Sequence, residues 1–129
     1  MRANTILYVQ NQNAATAFYT SVLEIEPKLN VPGMTEFQLS DDHVLGLMPE
    51  AGIKRLLGDA ISDPALNRGT PRAELYLTVS DPVSYHARAL KFGAKELSPL
   101  EKRNWGDIAA YSLDLDGHVL VFARSEVSK

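Results

Sequence analysis

An internal repeat is the feature that most constrains the fold of this chain. In both copies a strand-forming segment, 3–9 (ANTILYV) or 73–79 (AELYLTV), precedes an amphipathic helical stretch. The copies agree again towards their ends, where 42–47 (DHVLGL) resembles 116–122 (DGHVLVF) apart from an extra glycine. Each copy is too small to bury its own apolar face, so the two are expected to share one core. We therefore predict a single domain over residues 1–129.

The composition fits a soluble globular protein and excludes several classes of partner. Of the 129 residues, 45% are hydrophobic and 22% are charged, as in an ordinary single domain. The net charge is −3 and no long Lys/Arg run occurs, so we predict neither nucleic acid nor a membrane as a partner. The absence of cysteine excludes disulfides, thiolate metal sites and a Cys nucleophile.

The sequence also shows no targeting signal. No apolar run approaches the roughly 20 residues that are needed to span a bilayer. The start lacks the basic and then apolar layout of a secretory signal peptide. We therefore predict a cytoplasmic location.

The first repeat, about residues 1–48, has the pattern of a βαβββ unit. Apolar residues recur at helical spacing through 14–23, which predicts a helix with Asn11 or Asn13 as its cap. Pro27 is expected to end that helix and to begin an extended segment. Strands are predicted at 5–9, 27–31, 35–39 and 44–48.

The second repeat, about residues 72–124, has the same pattern after a linker at about 49–71. A helix is predicted at 82–92, because Pro82 stands at its start and Gly93 follows its end. A short helix near 53–57 is expected within the linker. The remaining predicted strands are 74–79, 95–100, 107–113 and 119–123. The repeats together predict an α+β fold, in which two βαβββ modules form a curved eight-stranded mixed sheet around a cleft with helices on the outer face.

Several motifs occur in the order that is found in a known superfamily. They are Leu7-Tyr8-Val9 with Ala17-Phe18-Tyr19, the strand 74–79 with Asp81, Gly93-Ala94, 103–107 (RNWGD) and 114–118 (DLDGH). In these motifs the chain resembles the vicinal-oxygen-chelate superfamily, which holds glyoxalase I, extradiol dioxygenases, fosfomycin-resistance enzymes and bleomycin-binding resistance proteins. The resemblance covers nearly the whole chain outside the linker. It implies the same paired modules and a homodimer.

The resemblance also implies where metal ligands would stand in the metal-dependent members. One ligand, normally His, Glu or Gln, would come from each of four strands, and the corresponding residues here are Asn4, Gly46, Glu74 and Val121. Glu74 is a good ligand and Asn4 a weak one, whereas the other two offer no donor atom. The three histidines show no metal-binding spacing. We therefore predict no metal and no cofactor.

Glu74 is the residue most suited to chemistry in the predicted cleft. On its strand it alternates with Leu75 and so shares a face with Tyr76, away from the helix layer. Its carboxylate could receive a cationic ligand group, or act as a general base in an apolar pocket. An ion pair with Arg72 or Arg103, or simple solvation at the mouth of the cleft, is the structural alternative.

The predicted ligand-binding residues are mostly aromatic. Trp105, the only tryptophan, follows Arg103 at a strand entry, where an indole beside a guanidinium suits stacking on a planar or cationic ligand. A core or subunit-interface position is the alternative for Trp105. Inward-facing positions of the predicted strands hold apolar or hydroxyl-bearing side chains that would line a pocket, although core packing would explain each of them singly: Tyr8, Phe37, Met48, Tyr76 and Tyr111.

Three functions remain open from the sequence. The first is a metal-independent protein similar to the bleomycin-resistance branch, which sequesters an apolar or aromatic small molecule in resistance or detoxification. The second is a glyoxalase- or dioxygenase-type enzyme, with a metal held unusually or with Glu74 as a lone base. The third is a regulatory subunit that presents a sheet edge to another protein. We predict the first, with Glu74 and Arg103 orienting the ligand.

Overall fold

The computed structural model describes residues 1–126 and shows the βαβββ order twice. In the first copy the elements are β1 (Ala3–Val9), α1 (Gln12–Leu23), β2 (Leu29–Val31), β3 (Met34–Ser40) and β4 (His43–Pro49). In the second they are β5 (Glu74–Thr78), α3 (Pro82–Lys91), β6 (Lys95–Lys102), β7 (Asp107–Leu113) and β8 (Val119–Ser125). The segment between the copies holds α2 (Glu50–Leu57) and short 3-10 helices at Gly58–Ala60 and Pro64–Asn67. The predicted α+β class and the repeated module are confirmed.

The eight strands form two sheets rather than one continuous sheet. Their orders are β1-β4-β3-β2 and β5-β8-β7-β6, and in each the first strand of the copy runs parallel to the fourth while the other pairs are antiparallel. The prediction of a single eight-stranded sheet needs this correction, because each copy completes its strand pairing within itself. The chain divides accordingly into a first unit, 1–68, and a second unit from Gly69 onward.

Helix α1 covers one face of the first sheet. Its N-terminus is capped by Asn11, whose side chain accepts a hydrogen bond from Ala14 N at 2.9 Å. Phe18 and Val22 are buried on its inner side. The helix ends at Leu23, where Glu24 adopts a left-handed conformation (φ 57°), and not at Pro27 as predicted. The local C-cap therefore ends the helix before the proline can.

Helix α3 covers one face of the second sheet in the same way. Asp81 caps it by accepting from Ser84 N at 3.2 Å, and the hydrogen bonds from Ser84 hold the pKa of Asp81 below its usual value. Pro82 occupies the first turn, as predicted. The Tyr85 ring lies 5.1 Å from the ring of Phe122 on β8. This contact fixes which face of the second sheet the helix covers.

The predicted linker is folded over most of its length. Residues 49–68 belong to the first unit, and the predicted short helix is α2. Glu50 is buried and forms an ion pair with Arg68 at 2.6 Å, which ties the start of α2 to the end of the unit. Lys54 donates to the carbonyl oxygens of Gly58 and Ile61. Within residues 1–126 no helix combines the length and the apolar character required to cross a membrane.

Phe37 lies on the face of the first sheet that the prediction did not assign to it. Its side chain is fully buried and its ring lies 6.5 Å from that of Tyr19 on α1. Thr35, two residues earlier, is also fully buried on this face. Its hydroxyl faces α1 and forms hydrogen bonds with Gln12 and Thr16 there. Because Thr35 is polar, the alternation of β3 assigned Thr35 and Phe37 to the wrong face of the sheet. Phe37 belongs to the helix–sheet core and not to a ligand pocket.

Candidate ligand-binding site

In each unit we call the sheet face that points away from α1 or α3 the far face. On the far face of the second sheet, Val121 stands between Tyr76 on β5 and Tyr111 on β7, because each is its partner in register. Ala109 and Ala123 are fully buried, and both tyrosines pack against the cluster that they form with Val121. The small alanine side chains leave room for the two rings. The result is an apolar floor with two phenol groups on it.

A chain of hydrogen bonds links Tyr76 to the turn between β6 and β7. The Tyr76 hydroxyl donates to Asp107 Oδ2 at 2.5 Å and accepts from Trp105 Nε1 at 3.0 Å. Burial, and then the hydrogen bond to Asp107, raise the pKa of Tyr76, while the hydrogen bond from Trp105 opposes the shift. Trp105 itself is 55% exposed. Its indole therefore stands at the surface with its only polar atom already bonded.

Arg103 supports the wall of this site. Its guanidinium donates to Ala109 O at 2.8 Å and to Ser98 Oγ at 2.8 Å, and it also reaches Pro99 O at 3.2 Å. The same group lies 5.0 Å from the centre of the Tyr111 ring. These contacts hold the β6–β7 hairpin together and place a positive charge on one side of Tyr111. Arg103 is therefore held by the hairpin, whereas the sequence predicted that it would orient a ligand.

Glu74 begins β5 on the far face, as predicted, and its side chain is exposed. Burial is the main cause that raises the pKa of Tyr111, and the negative charge of Glu74 raises it further. Among residues 1–126 no side chain forms a hydrogen bond or an ion pair with Glu74. The alternative in which Arg103 pairs with Glu74 is wrong, since Arg103 bonds within its own hairpin and lies 3.5 Å from Glu101.

On the far face of the first sheet, apolar side chains pack around Gly46, and one of them, Ile6, is 41% exposed. Tyr8 and Met48 are partners in register there, as are Ile6 and Gly46. A Cβ atom at Gly46 would lie 3.1 Å from Ile6 Cγ1 and 3.3 Å from Met34 Sδ, so these two side chains fill the space above the glycine. The first unit thus holds two of the predicted ligand-binding residues, Tyr8 and Met48, on a face without an exposed aromatic platform.

The four positions that the resemblance assigns to metal ligands do not hold side chains that fit a metal ion. Ile6 and Met34 occupy the space that a ligand at Gly46 would need, and Val121 is a fully buried part of the apolar floor. Asn4 donates to Glu36 Oε2 at 3.5 Å within the first unit. Within the described chain no group of three or more His, Asp or Glu side chains could hold a metal ion. Glu74 remains the single good donor of the four positions.

A separate pocket of about 440 Å³ opens beside the N-terminus of α1. It is lined by polar residues and by the β2–β3 turn: Asn11, Gln12, Asn13, Asn30, Val31, Pro32 and Gly33. The Gln12 side chain is already bonded to Val31 O, Thr35 Oγ1 and Gly33 N. None of the predicted ligand-binding residues lines this pocket, so we do not place the site there.

Asp107 is the site residue that the sequence analysis missed. It appeared only as the end of a motif and the first residue of a strand, yet its carboxylate accepts a hydrogen bond from Tyr76 and so joins β5 to β7. The alternation of β7 was a usable signal, because Asp107, Ala109 and Tyr111 share one face. The structure joins Tyr76 to Trp105 by a hydrogen bond and places Tyr76 and Tyr111 on either side of Val121. Glu74 is close enough to Tyr111 to raise its pKa, and Arg103 lies against the Tyr111 ring.

The sequence matches the Glyoxalase/Bleomycin resistance protein/Dioxygenase superfamily over residues 3–122. The chain belongs to this superfamily. No curated protein matches it. Membership in the glyoxalase superfamily agrees with the resemblance found in the motifs and with the repeated βαβββ module.

Solved structures of the glyoxalase superfamily share the fold at low sequence identity. A glyoxalase-related enzyme from Fulvimarina pelagi has a TM-score of 0.82 at 21% identity, covering 98% of this chain and 89% of its own. A glyoxalase/bleomycin resistance protein/dioxygenase family enzyme from Burkholderia phytofirmans PsJN has a TM-score of 0.78 at 14% identity, covering 95% and 96%. A glyoxalase/bleomycin resistance protein/dioxygenase from Nocardioides has a TM-score of 0.77 at 17% identity, covering 100% and 85%. At such identities these likenesses show the fold alone.

Proposed function

We propose that the far face of the second unit binds a planar, largely apolar small molecule without the help of a metal ion. The protein would act by stoichiometric capture, in a resistance or detoxification role, and as a homodimer in the cytoplasm. In such a protein the affinity comes from burial of the ligand and from a binding surface that is ordered in advance.

The single observation that carries this proposal is the environment of Trp105. Large aromatic side chains are costly to leave in water, and this one is 55% exposed. The indole N–H is bonded to Tyr76, so the free part of the ring is its apolar face. A planar ligand that stacks on that face would remove apolar area from water without breaking a hydrogen bond.

The charges around the site favour a ligand that carries a positive group. Glu74 is exposed and has no ion-pair partner among residues 1–126. The positive charge of Arg103 is directed at hairpin carbonyl groups and at Tyr111. A cation that stacks on Trp105 would also gain from its π system. We therefore expect a planar cation to bind more tightly than a neutral ring of the same shape.

Trp105 provides the test, because it is the only tryptophan and reports binding through its fluorescence. The probes are N-methylquinolinium, a planar cation, and quinoline, its neutral counterpart at about pH 8. We expect N-methylquinolinium to bind more tightly by about five-fold or more at low salt, and the advantage to shrink as salt screens the charge. Glu74→Gln should remove most of the preference, whereas Asp41→Asn on the exposed turn of the first unit should preserve it.

Equal affinity for the two probes would contradict the role of Glu74, and absence of saturable binding of either probe would contradict the proposal. Trp105→Ala, followed by calorimetry, should weaken binding of N-methylquinolinium by on the order of 2 kcal/mol. Phe92→Ala is the matched control, because Phe92 is an exposed aromatic residue of the same unit that lies outside the site.

The enzyme alternative rests on the exposed Glu74 carboxylate, either as a lone base or as part of an unusual metal site. A metal-dependent member should gain thermal stability when Ni²⁺, Mn²⁺, Fe²⁺ or Zn²⁺ is added to chelator-treated protein. Capture without a metal predicts an unchanged melting temperature. A saturable rise with one ion per chain, abolished by Glu74→Gln, would favour the enzyme.

A further inference from the structure

We propose that Tyr76 and Asp107 are positioning residues that hold the Trp105 indole in one orientation and occupy its N–H, so that Trp105 recognises a ligand through its ring face alone. This inference rests on the proposed function for the identity of the ligand. The orientation of Trp105 can be tested without any ligand.

The direction of every proton in this chain of hydrogen bonds follows from the chemistry of its groups. An indole N–H can only donate, so the Tyr76 oxygen must accept from Trp105. The Tyr76 hydroxyl then has its own proton left for Asp107, whose ionised carboxylate can only accept. Donation to a carboxylate enriches the phenol oxygen in electrons and strengthens it as an acceptor. The three groups therefore support one arrangement.

The geometry of the sheet explains why Tyr76 can reach the turn. Strand β8 lies between β5 and β7, so the Tyr76 side chain must cross it to meet Asp107. Ala109 and Ala123, fully buried on this face, provide the flat surface against which the ring packs. Larger residues at those two positions would lift the ring from the sheet. The floor of the site therefore also sets the position of the phenol group.

The turn that carries Trp105 is held at its backbone as well. Arg103 N donates to Asp107 O at 2.8 Å, and Glu126 N donates to Gly106 O at 2.9 Å. Gly106 has a positive φ of 97°, a conformation that other residues adopt only with strain. With the backbone fixed, the remaining freedom of Trp105 is rotation about its side-chain bonds. The hydrogen bond to Tyr76 is what restricts that rotation.

The consequence for recognition is a selection by shape and charge. Because Tyr76 already uses the indole N–H, a hydrogen-bond acceptor on a ligand gains nothing from Trp105. The ring face stays available for stacking, and an indole held in place loses less side-chain entropy on binding than a mobile one. Tyr76 and Asp107 thus act on the ligand through Trp105 and need not touch it.

Time-resolved fluorescence anisotropy of Trp105 tests the positioning directly. In the native protein the decay should follow the tumbling of the whole molecule. Tyr76→Phe keeps the ring and removes the hydroxyl, and it should increase the amplitude of a picosecond-to-nanosecond component by about two-fold or more. Asp107→Asn should give a smaller increase, because an amide oxygen can still accept the Tyr76 proton. Tyr85→Phe is the control, because Tyr85 lies on α3 at the opposite face of the sheet, and it should leave the decay unchanged.

Binding of N-methylquinolinium separates this inference from the proposed function. Tyr76→Phe should raise the dissociation constant by about three- to ten-fold, with Tyr85→Phe unchanged and the circular dichroism spectrum of both variants native. An unaltered anisotropy decay in both Tyr76→Phe and Asp107→Asn would overturn the positioning role, whatever the affinity. An altered decay in a protein that binds neither quinoline probe would support the positioning role and contradict the proposed function instead.

Discussion

The two units of this protein have the same helix-covered face and different far faces. On the covered side, Tyr19 of α1 meets Phe37 in the first unit, and Tyr85 of α3 meets Phe122 in the second. On the far side, Ile6 and Met34 close over Gly46 in the first unit. The second unit instead presents an exposed tryptophan above a floor of small residues.

This difference indicates which residues of a duplicated module are free to diverge. A side chain under a helix must fill a closed space, so both copies keep an aromatic pair there. A side chain on the far face meets no helix of its own module, and it can be polar, charged or exposed without a packing cost. The second unit uses this freedom for Glu74, Trp105 and Asp107. The proposed function assigns ligand binding to the second unit for this reason.

The largest expected effects on stability come from removing the buried aromatic rings that both units have between helix and sheet. Phe37→Ala and Phe122→Ala each remove a fully buried ring, and each should lower the free energy of unfolding by about 3–5 kcal/mol in urea titrations. Phe92→Ala, at an exposed position, should cost less than about 1 kcal/mol. A small effect at only one of the two buried phenylalanines would show that the helix–sheet cores are not equivalent.

The turns before β4 and β8 should respond differently to loss of an aspartate. Asp114 is buried, and its carboxylate accepts from the backbone N–H groups of Asp116 and His118 and contacts His118 Nδ1 at 3.0 Å. Asp114→Ala should therefore destabilise the protein by about 2–3 kcal/mol in thermal or urea unfolding. Asp42→Ala, in the exposed turn before β4, should stay within about 0.5 kcal/mol. Similar losses at both turns would contradict this distinction.

Two glycines of the first unit test whether its far face is packed. Gly46→Ala places a methyl group against Ile6 and Met34 and should cost about 1 kcal/mol or more. Gly52→Ala, inside α2, meets Met48 Cε at 3.6 Å and Arg55 Nη2 at 4.0 Å, which are ordinary contacts, and it should stabilise the helix by about 0.5–1 kcal/mol. A neutral Gly46→Ala variant would mean that the first far face has room for a ligand too.

The smallest expected effect is a loss of stability in alkali that belongs to the second far face. Burial is the main cause that raises the pKa of both Tyr76 and Tyr111, so folding favours their neutral forms. The resulting stabilisation is complete below the ordinary tyrosine pKa near 10 and is lost as the pH rises through the folded-state values. Between about pH 9 and 11 the free energy of unfolding should fall less in the double variant Tyr76→Phe/Tyr111→Phe than in the native protein. The difference between the two decreases should be less than about 1 kcal/mol in unfolding curves. An identical slope in both proteins would contradict it.

Local patterns predicted most of the fold. The repeat, the cap at Asn11, Pro82 at the start of α3 and the alternation of β5 are encoded by residues close together in the chain, and the structure confirms each of them. The end of α1 was predicted at Pro27 because the residue that ends the helix in a left-handed conformation is Glu24, and not the glycine that usually marks such an end in a sequence. The single eight-stranded sheet was wrong because pairing between strands of different copies cannot be judged from alternation.

The sequence by itself determined the superfamily, the order of the elements and the absence of side-chain donor atoms at Gly46 and Val121, since each of these depends on which residue stands at a given position. The tertiary structure alone decided that Phe37 lies under α1 and that Asp107 bonds to Tyr76. These contacts join residues that are far apart in the chain, and the hydrogen bond spans 31 positions. Such a pair is brought together by strand pairing and by the packing of small side chains between them, which no local pattern specifies.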